Sequence, residues 1–215
     1  MTKRWSGVEK MLVLSVSFTM FLLVFRLFYW GRIAFTFYPW NFFLAIIPLL
    51  LSRTLYKWNK LNVKSITVLL CWLLFLPNAP YIITDIFHFR EREPVTKWYD
   101  LLLVTSAAWN GLIIGIVSLL QVEEFLQKHL SLIKVRIAMF ISIIACSFGI
   151  YLGRFLRFNS WDIFTNTDRL MHSLAFQFLH PQENIKTWAF TVLFAAMLAL
   201  VYYTIKNLAA LVRTY

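Results

Sequence analysis

The chain has 215 residues, of which 60% are hydrophobic and 14% charged. A soluble domain is roughly 45–50% apolar and 25% charged, and one of this size has too much outside for its volume to hide such surface, so a water-soluble globule is excluded. The net charge of +11 raises the question of nucleic acid, but the basic residues are scattered between apolar segments, as in a membrane protein oriented by its loops, and no nucleic-acid partner is expected.

Lys3, Arg4 and Lys10 precede an apolar run, Met11–Tyr29. It exceeds the roughly 7–15 residues of a signal-peptide core and no small-residue cleavage site follows it, which predicts a retained first helix. A membrane crossing takes about 20 apolar residues. Phe35–Leu51, Leu101–Leu120, Ile137–Leu152 and Thr187–Tyr203 meet or approach that length, Ile137–Leu152 by running on through Arg154.

The third crossing is irregular. Ser65–Leu76 is apolar but short, Pro77, Asn78, Ala79 and Pro80 follow, and apolarity resumes at Tyr81–Ile83. Proline lacks an N–H and its ring crowds the turn before it, so the span is predicted to break at Pro77/Pro80, with Asn78 placed to cap the second piece. Cys71 and Cys146 lie inside apolar stretches and read as buried thiols rather than a disulfide framework or zinc site. The expected fold is all-α, a polytopic transmembrane helix bundle of about six spans. It forms one integral membrane domain over residues 1–215, with the lipid bilayer as partner.

Loop charge sets the orientation. With the N-terminus inside, the cytoplasmic segments hold Lys3, Arg4, Lys10, Arg53, Lys57, Lys60, Lys64, Lys128, Lys134, Arg136, Lys206 and Arg213, twelve of the 21 basic residues. This predicts both termini in the cytoplasm. Trp30, Trp40, Trp58, Trp98 and Trp188 fall near the ends of spans, where an indole's apolar body and polar N–H suit the headgroup level.

Two outer connections, Pro77–Asp100 and Gly153–Lys186, carry most of the Asp, Asn and His. Asp85 and His88 are three apart and Asp168 and His172 four apart, each pair on one face of a predicted helix. Asn166 or Thr167 is the expected cap of the second helix. The pairs could be local hydrogen bonds, ligands of a divalent metal, or acid–base groups in which Asp orients His. Arg154 and Arg157 are three apart after the fifth span, with Asn159 and Asp162 beyond. They form either a fork for a phosphate or carboxylate or snorkelling side chains, with Asp162 a possible ion-pair partner. Asn110, inside the fourth span, must hydrogen-bond to a neighbouring helix or line a pocket. Leu170–Leu179 is amphipathic and reads as a surface helix with Leu170, Leu174 and Phe178 toward lipid.

The stretches FLPNAPYIITDIFHF (Phe75–Phe89) and YLGRFLRFNSWDIF (Tyr151–Phe164) resemble a family of bacterial multi-pass membrane proteins catalogued as domain of unknown function 1361. The likeness covers most of the chain from the second span onward. It implies a bacterial cytoplasmic-membrane protein and supplies no activity. The expected function is a polar site on the extracytoplasmic face, in an enzyme acting on a lipid-linked or anionic envelope substrate. Asp85, His88, Asp168 and His172 would be the catalytic or metal-binding groups, and Asn78, Asn110, Arg154, Arg157, Asn159 and Asp162 the substrate-binding ones. The alternative is a small transporter or accessory subunit using the broken helix near Asn78.

Overall fold

A computed structural model describes residues 2–31, 33–58, 60–90 and 93–211. Arg213 lies outside the described residues, as do the side chains of Lys3 and Arg4. The elements are α1 (Thr2–Trp30), α2 (Tyr38–Trp58), α3 (Val63–Phe75), α4 (Asn78–Tyr81), a 3-10 helix (Ile82–His88), α5 (Lys97–Gln127), α6 (Leu132–Phe155), α7 (Asp162–Thr165), α8 (Thr167–Leu179) and α9 (Ile185–Leu211). No β-strand occurs among the described residues. The protein is an all-α bundle.

Five helical stretches are long and apolar enough to cross a membrane: Gly7–Trp30, Val63–His88, Lys97–Gln127, Leu132–Phe155 and Ile185–Leu208. The expected sixth, α2, has 21 residues, or roughly 30 Å of helix, the depth of a hydrocarbon core. It falls short in apolarity because Asn41, Ser52, Arg53 and Lys57 interrupt it. Three of its polar groups have partners inside the bundle. Asn41 Nδ2 donates to Asp85 Oδ2 at 2.9 Å, Ser52 Oγ donates to Gln121 Oε1 at 2.8 Å, and Pro48 O accepts from Ser118 Oγ at 3.0 Å. α2 runs antiparallel beside α1. Arg53 meets Glu9 at 3.1 Å near one end, and the Arg26 guanidinium lies 5.3 Å from the Phe35 ring at the other.

α5 is the central helix: 61% of its span is buried, against 22–39% for the other four. Both of its faces are used. Tyr38, Phe42, Leu103 and Ala107 belong to a core shared with α1 and α2. Ile116, Leu119 and Phe125 belong to one shared with α3, α6 and α9.

The third span is interrupted where the prolines require it. Regular α-helix stops at Phe75 and resumes at Asn78, while Leu76 and Pro77 keep right-handed helical dihedrals, so the chain stays rod-like. The Ala79 N–H bonds to Leu76 O at 3.3 Å, which leaves the Phe75 carbonyl without its usual donor four residues on. Ser160 Oγ donates to Leu74 O at 3.2 Å and Asn78 Nδ2 to Phe75 O at 2.9 Å. Asn78 therefore closes the end of α3 instead of capping the second piece, whose N-terminal position is Pro77 and has no side-chain cap.

Glycines let this irregular segment sit between two helices. A Cβ on Gly111 would lie 2.5 Å from Ala79 O, and one on Gly149 would lie 2.5 Å from Pro77 Cγ. Gly115 and Gly153, one turn further along α5 and α6, face Pro80 and Tyr81. Two glycine pairs at four-residue spacing thus receive Pro77–Tyr81 from opposite sides, the close helix approach that small residues permit in membranes.

Candidate functional site

The break and the end of α6 enclose a cavity of about 680 Å³. α2 contributes Trp40, Asn41 and Leu44. The broken span contributes Leu74, Pro77, Asn78, Tyr81 and His88, and α6 contributes Gly149, Leu152, Gly153 and Arg154. Arg157, Phe158, Asn159 and Ser160 come from the following loop, with Ile163 and Leu170 from α7 and α8. The segments Pro77–Asp100 and Gly153–Lys186 therefore meet. Asn78 Nδ2 donates to Ser160 Oγ at 2.9 Å, and the Trp40 and Trp161 rings stand edge to face with centroids 6.1 Å apart.

Asp85 and His88 lie on the 3-10 helix, whose three-residue turn places them one above the other. Asp85 is buried, 1% exposed. Both of its oxygens are engaged: Oδ2 accepts from Asn41 Nδ2, and Oδ1 lies 3.5 Å from Arg154 Nη1. The same Nη1 lies 3.1 Å from His88 Nε2. Arginine has only donors, so Nε2 is the acceptor and a neutral His88 carries its proton on Nδ1. The Arg154 guanidinium also sits 5.4 Å from the Phe87 ring. Asp85 thus joins α2 and α6, holding the Asn41 amide and the Arg154 guanidinium.

Arg154 and Arg157 line one cavity but do not share a helical face. α6 ends at Phe155, and Arg157 follows with φ +60°, while the Phe158 N–H folds back to Leu152 O at 3.1 Å. That left-handed position at a helix end is commonly glycine. Arg157 is exposed and has no ion-pair partner among the described residues. Asp162 is not the partner of either arginine. It accepts from the Asn159 backbone N–H at 2.6 Å, Asn166 Nδ2 at 2.8 Å and Thr165 Oγ1 at 3.1 Å. These donors, the Asn159 N–H first, hold its carboxyl below the usual aspartate range. Asp162 fixes the loop that presents Arg157 and Asn159.

The remaining candidates lie elsewhere. Asp168 and His172 are exposed on α8, and among the described residues no three His, Cys, Asp or Glu side chains converge on a metal-sized site. The two Asp–His pairs therefore do not form a joint metal cluster. Asn166 begins α8, but its amide serves Asp162 rather than the helix. Leu170 lines the cavity instead of facing lipid, and Phe178 packs against Phe148 and Trp188. Asn110 binds α1: its Nδ2 donates to Thr19 Oγ1 at 2.9 Å and Ser15 O at 3.2 Å. It lines a separate apolar groove, divided from the cavity by Ala79 and Ile82 packed on Gly111.

Asn41, Ser160 and Arg26 are additional polar residues at this end. Arg26, 0% exposed, forms a two-point pair with Asp100: Nε to Oδ1 at 2.6 Å and Nη2 to Oδ2 at 3.1 Å. Asn41 and Arg26 could have been picked out as polar side chains within apolar runs, which demand a partner.

No curated protein matches the chain, and no solved structure does. A family model described as "Protein of unknown function (DUF1361)" matches residues 40–201. The matched region takes in every residue lining the cavity and leaves α1 outside it. The chain therefore belongs to the DUF1361 family.

Proposed function

We propose that this multi-pass membrane protein lies in a bacterial cytoplasmic membrane as one domain, with both termini inside. Its cavity faces outward and binds an anionic envelope compound. The observation that supports this reading is the charge of the cavity wall. Arg154, Arg157 and His88 line it, and among the described residues no carboxylate does. In a partly desolvated cleft two guanidinium groups attract a phosphate or carboxylate strongly, and Asn78, Asn159 and Ser160 add polar side chains for its remaining oxygens. The orientation follows from the basic residues at the opposite end, among them Lys57, Lys60, Lys64, Lys128, Lys134 and Arg136.

The arrangement favours binding over proton transfer by Asp85, both of whose oxygens are engaged. His88 is the acid–base candidate at the cavity wall. Asp168 and His172, exposed on α8, are not part of this proposal.

Binding of radiolabelled inorganic phosphate and of a phosphate-headed lipid to the detergent-purified protein tests the reading. Arg154→Ala and Arg157→Ala should each weaken binding about tenfold, the loss of one charge-assisted hydrogen bond. Binding unchanged in both variants would end it. Labelling of Asn159→Cys, in a Cys71→Ser background, by a membrane-impermeant maleimide on intact cells tests the orientation.

A further inference from the structure

We infer that the anion is the phosphate head of a lipid, which enters the cavity between α2 and α7 with its chain toward the bilayer interior. This rests on the anion-binding reading and adds the ligand's class. Depth carries the argument. α2 runs away from the polar end of the bundle, so Leu44 lies deeper than Asn41. α3 and α6 run toward that end, so Leu74 lies deeper than Asn78, and Gly149 and Leu152 deeper than Arg154 and Arg157. On all three helices the deepest lining residues (Leu44, Leu74, and Gly149 with Leu152) are apolar, and the polar Asn41, Asn78 and Arg154 lie further out, beside Trp40 and Tyr81. A ligand that fills the cavity is therefore apolar below and anionic above, the orientation of a membrane lipid.

The rim agrees. Trp40 and Ile163 line the cavity and are 55% and 41% exposed, and their neighbours Phe43 and Phe164 are 56% and 82% exposed. The mouth is thus continuous with apolar surface. A soluble anion has no use for such a rim, whereas a lipid moving in from the side does. The volume of about 680 Å³ falls in the range of small-molecule sites, roughly 300–1,000 Å³, enough for a head and the first part of a chain.

Arg157 is the residue that grips the head. It has no ion-pair partner among the described residues, and it holds a backbone conformation, φ +60°, that glycine adopts without cost. The strained backbone at this helix end turns a long cationic side chain, without an ion-pair partner among the described residues, onto the cavity wall.

Native mass spectrometry of the full chain, released from detergent and titrated with farnesyl monophosphate, farnesol or inorganic phosphate, tests the inference. Farnesyl monophosphate should bind one to one, about tenfold or more tighter than either other probe. Arg157→Gly should remove that advantage while leaving the thermal midpoint no lower than wild type, because glycine suits the left-handed backbone. Inorganic phosphate binding as tightly as farnesyl monophosphate, and losing affinity in Arg157→Gly, would overturn the lipid inference and leave the anion reading standing. Farnesol binding as tightly as farnesyl monophosphate, with no effect of Arg157→Gly, would overturn both. So would failure of all three probes to bind.

Discussion

Two arginine–aspartate pairs stand at the same end of the bundle, built from the same chemistry to different ends. Arg26–Asp100 is dry and two-pointed, with side chains 0% and 2% exposed and a shortest contact of 2.6 Å. Arg154–Asp85 is longer at 3.5 Å, and its arginine is 13% exposed. The first arginine is buried beside the Phe35 ring. The second is shared with His88 and opens onto the cavity. A buried charge must be fully paired or it is ruinous. A charge at a cavity wall can be held loosely, because a ligand can complete its shell. The contrast separates a clamp between α1 and α5 from a pair that opens onto the cavity.

Breaking the clamp should have the largest effect. Arg26→Ala strands Asp100 in a buried setting, and removing one partner of such a pair costs about 3–5 kcal/mol. Unfolding in mixed micelles, followed by helical circular dichroism, measures it. The double variant Arg26→Met/Asp100→Leu should recover most of the loss, since an apolar replacement of a buried pair is often neutral. Phosphate-lipid binding in the double variant should stay near wild type. A binding defect there as large as that of Arg157→Ala would erase the distinction between the two pairs.

The next largest effect should come from the floor of the cavity. Gly149→Ala places a methyl 2.5 Å from Pro77 Cγ, and overpacking of this kind costs about 1–3 kcal/mol. Any shift of the proline segment passes to Asp85, four residues after Tyr81, and loosens its hold on Arg154. Binding should fall with stability, whereas the environment of Trp30 and Tyr99 beside the Arg26 clamp should not change. Equal disturbance of both regions, read from near-ultraviolet circular dichroism and binding together, would contradict that division.

The apolar helices were legible because the bilayer tolerates little else. Each crossing needs a run of apolar residues, and α1, α5, α6 and α9 contain their predicted runs with extra turns at the ends, whereas α2 begins at Tyr38, three residues inside the run predicted from Phe35, and α3 stops at Phe75, one residue short of Leu76. α1, for example, begins at Thr2 and ends at Trp30, because helix continues beyond the hydrocarbon into the interface. The interruption at Pro77 was legible from proline's missing donor. The use of Asn78 was not, because the Phe75 carbonyl it satisfies is freed only by the new hydrogen-bond pattern. Nor was the choice of Asp85 over Asp162 as the partner of Arg154. Asp162 is eight residues away and Asp85 is 69, yet local backbone donors occupy the nearer carboxylate. The glycine pairs Gly111/Gly115 and Gly149/Gly153 were visible as spacing, but their meaning depends on what packs against them.

Coupling within the second pair should be small. Arg154→Ala, Asp85→Asn and their combination form a cycle whose interaction energy is expected at about 1 kcal/mol or less, as for partly exposed single-point pairs. The effect belongs in binding. Asp85→Asn keeps the shape but frees Arg154, so affinity for the phosphate head should change less than in Arg154→Ala. A coupling above about 3 kcal/mol would mark the pair as a second clamp.

The smallest effect concerns the loop that carries Arg157. Asp162 has its carboxyl pKa lowered by the Asn159 N–H, the Asn166 amide and the Thr165 hydroxyl, so its charged form is favoured in the folded state. The stability this contributes is fully present above the unfolded aspartate value of about 3.9. It disappears as pH falls through the depressed folded value. Asp162→Asn should therefore be less stable than wild type at neutral pH, and the gap should close in that acidic window while the Arg26→Ala gap changes by a different course. Exchange protection of the Asn159 amide reads the loop directly. It should be lost in Asp162→Asn at neutral pH, and binding of the phosphate head should weaken with it, because Arg157 and Asn159 hang from that one carboxylate.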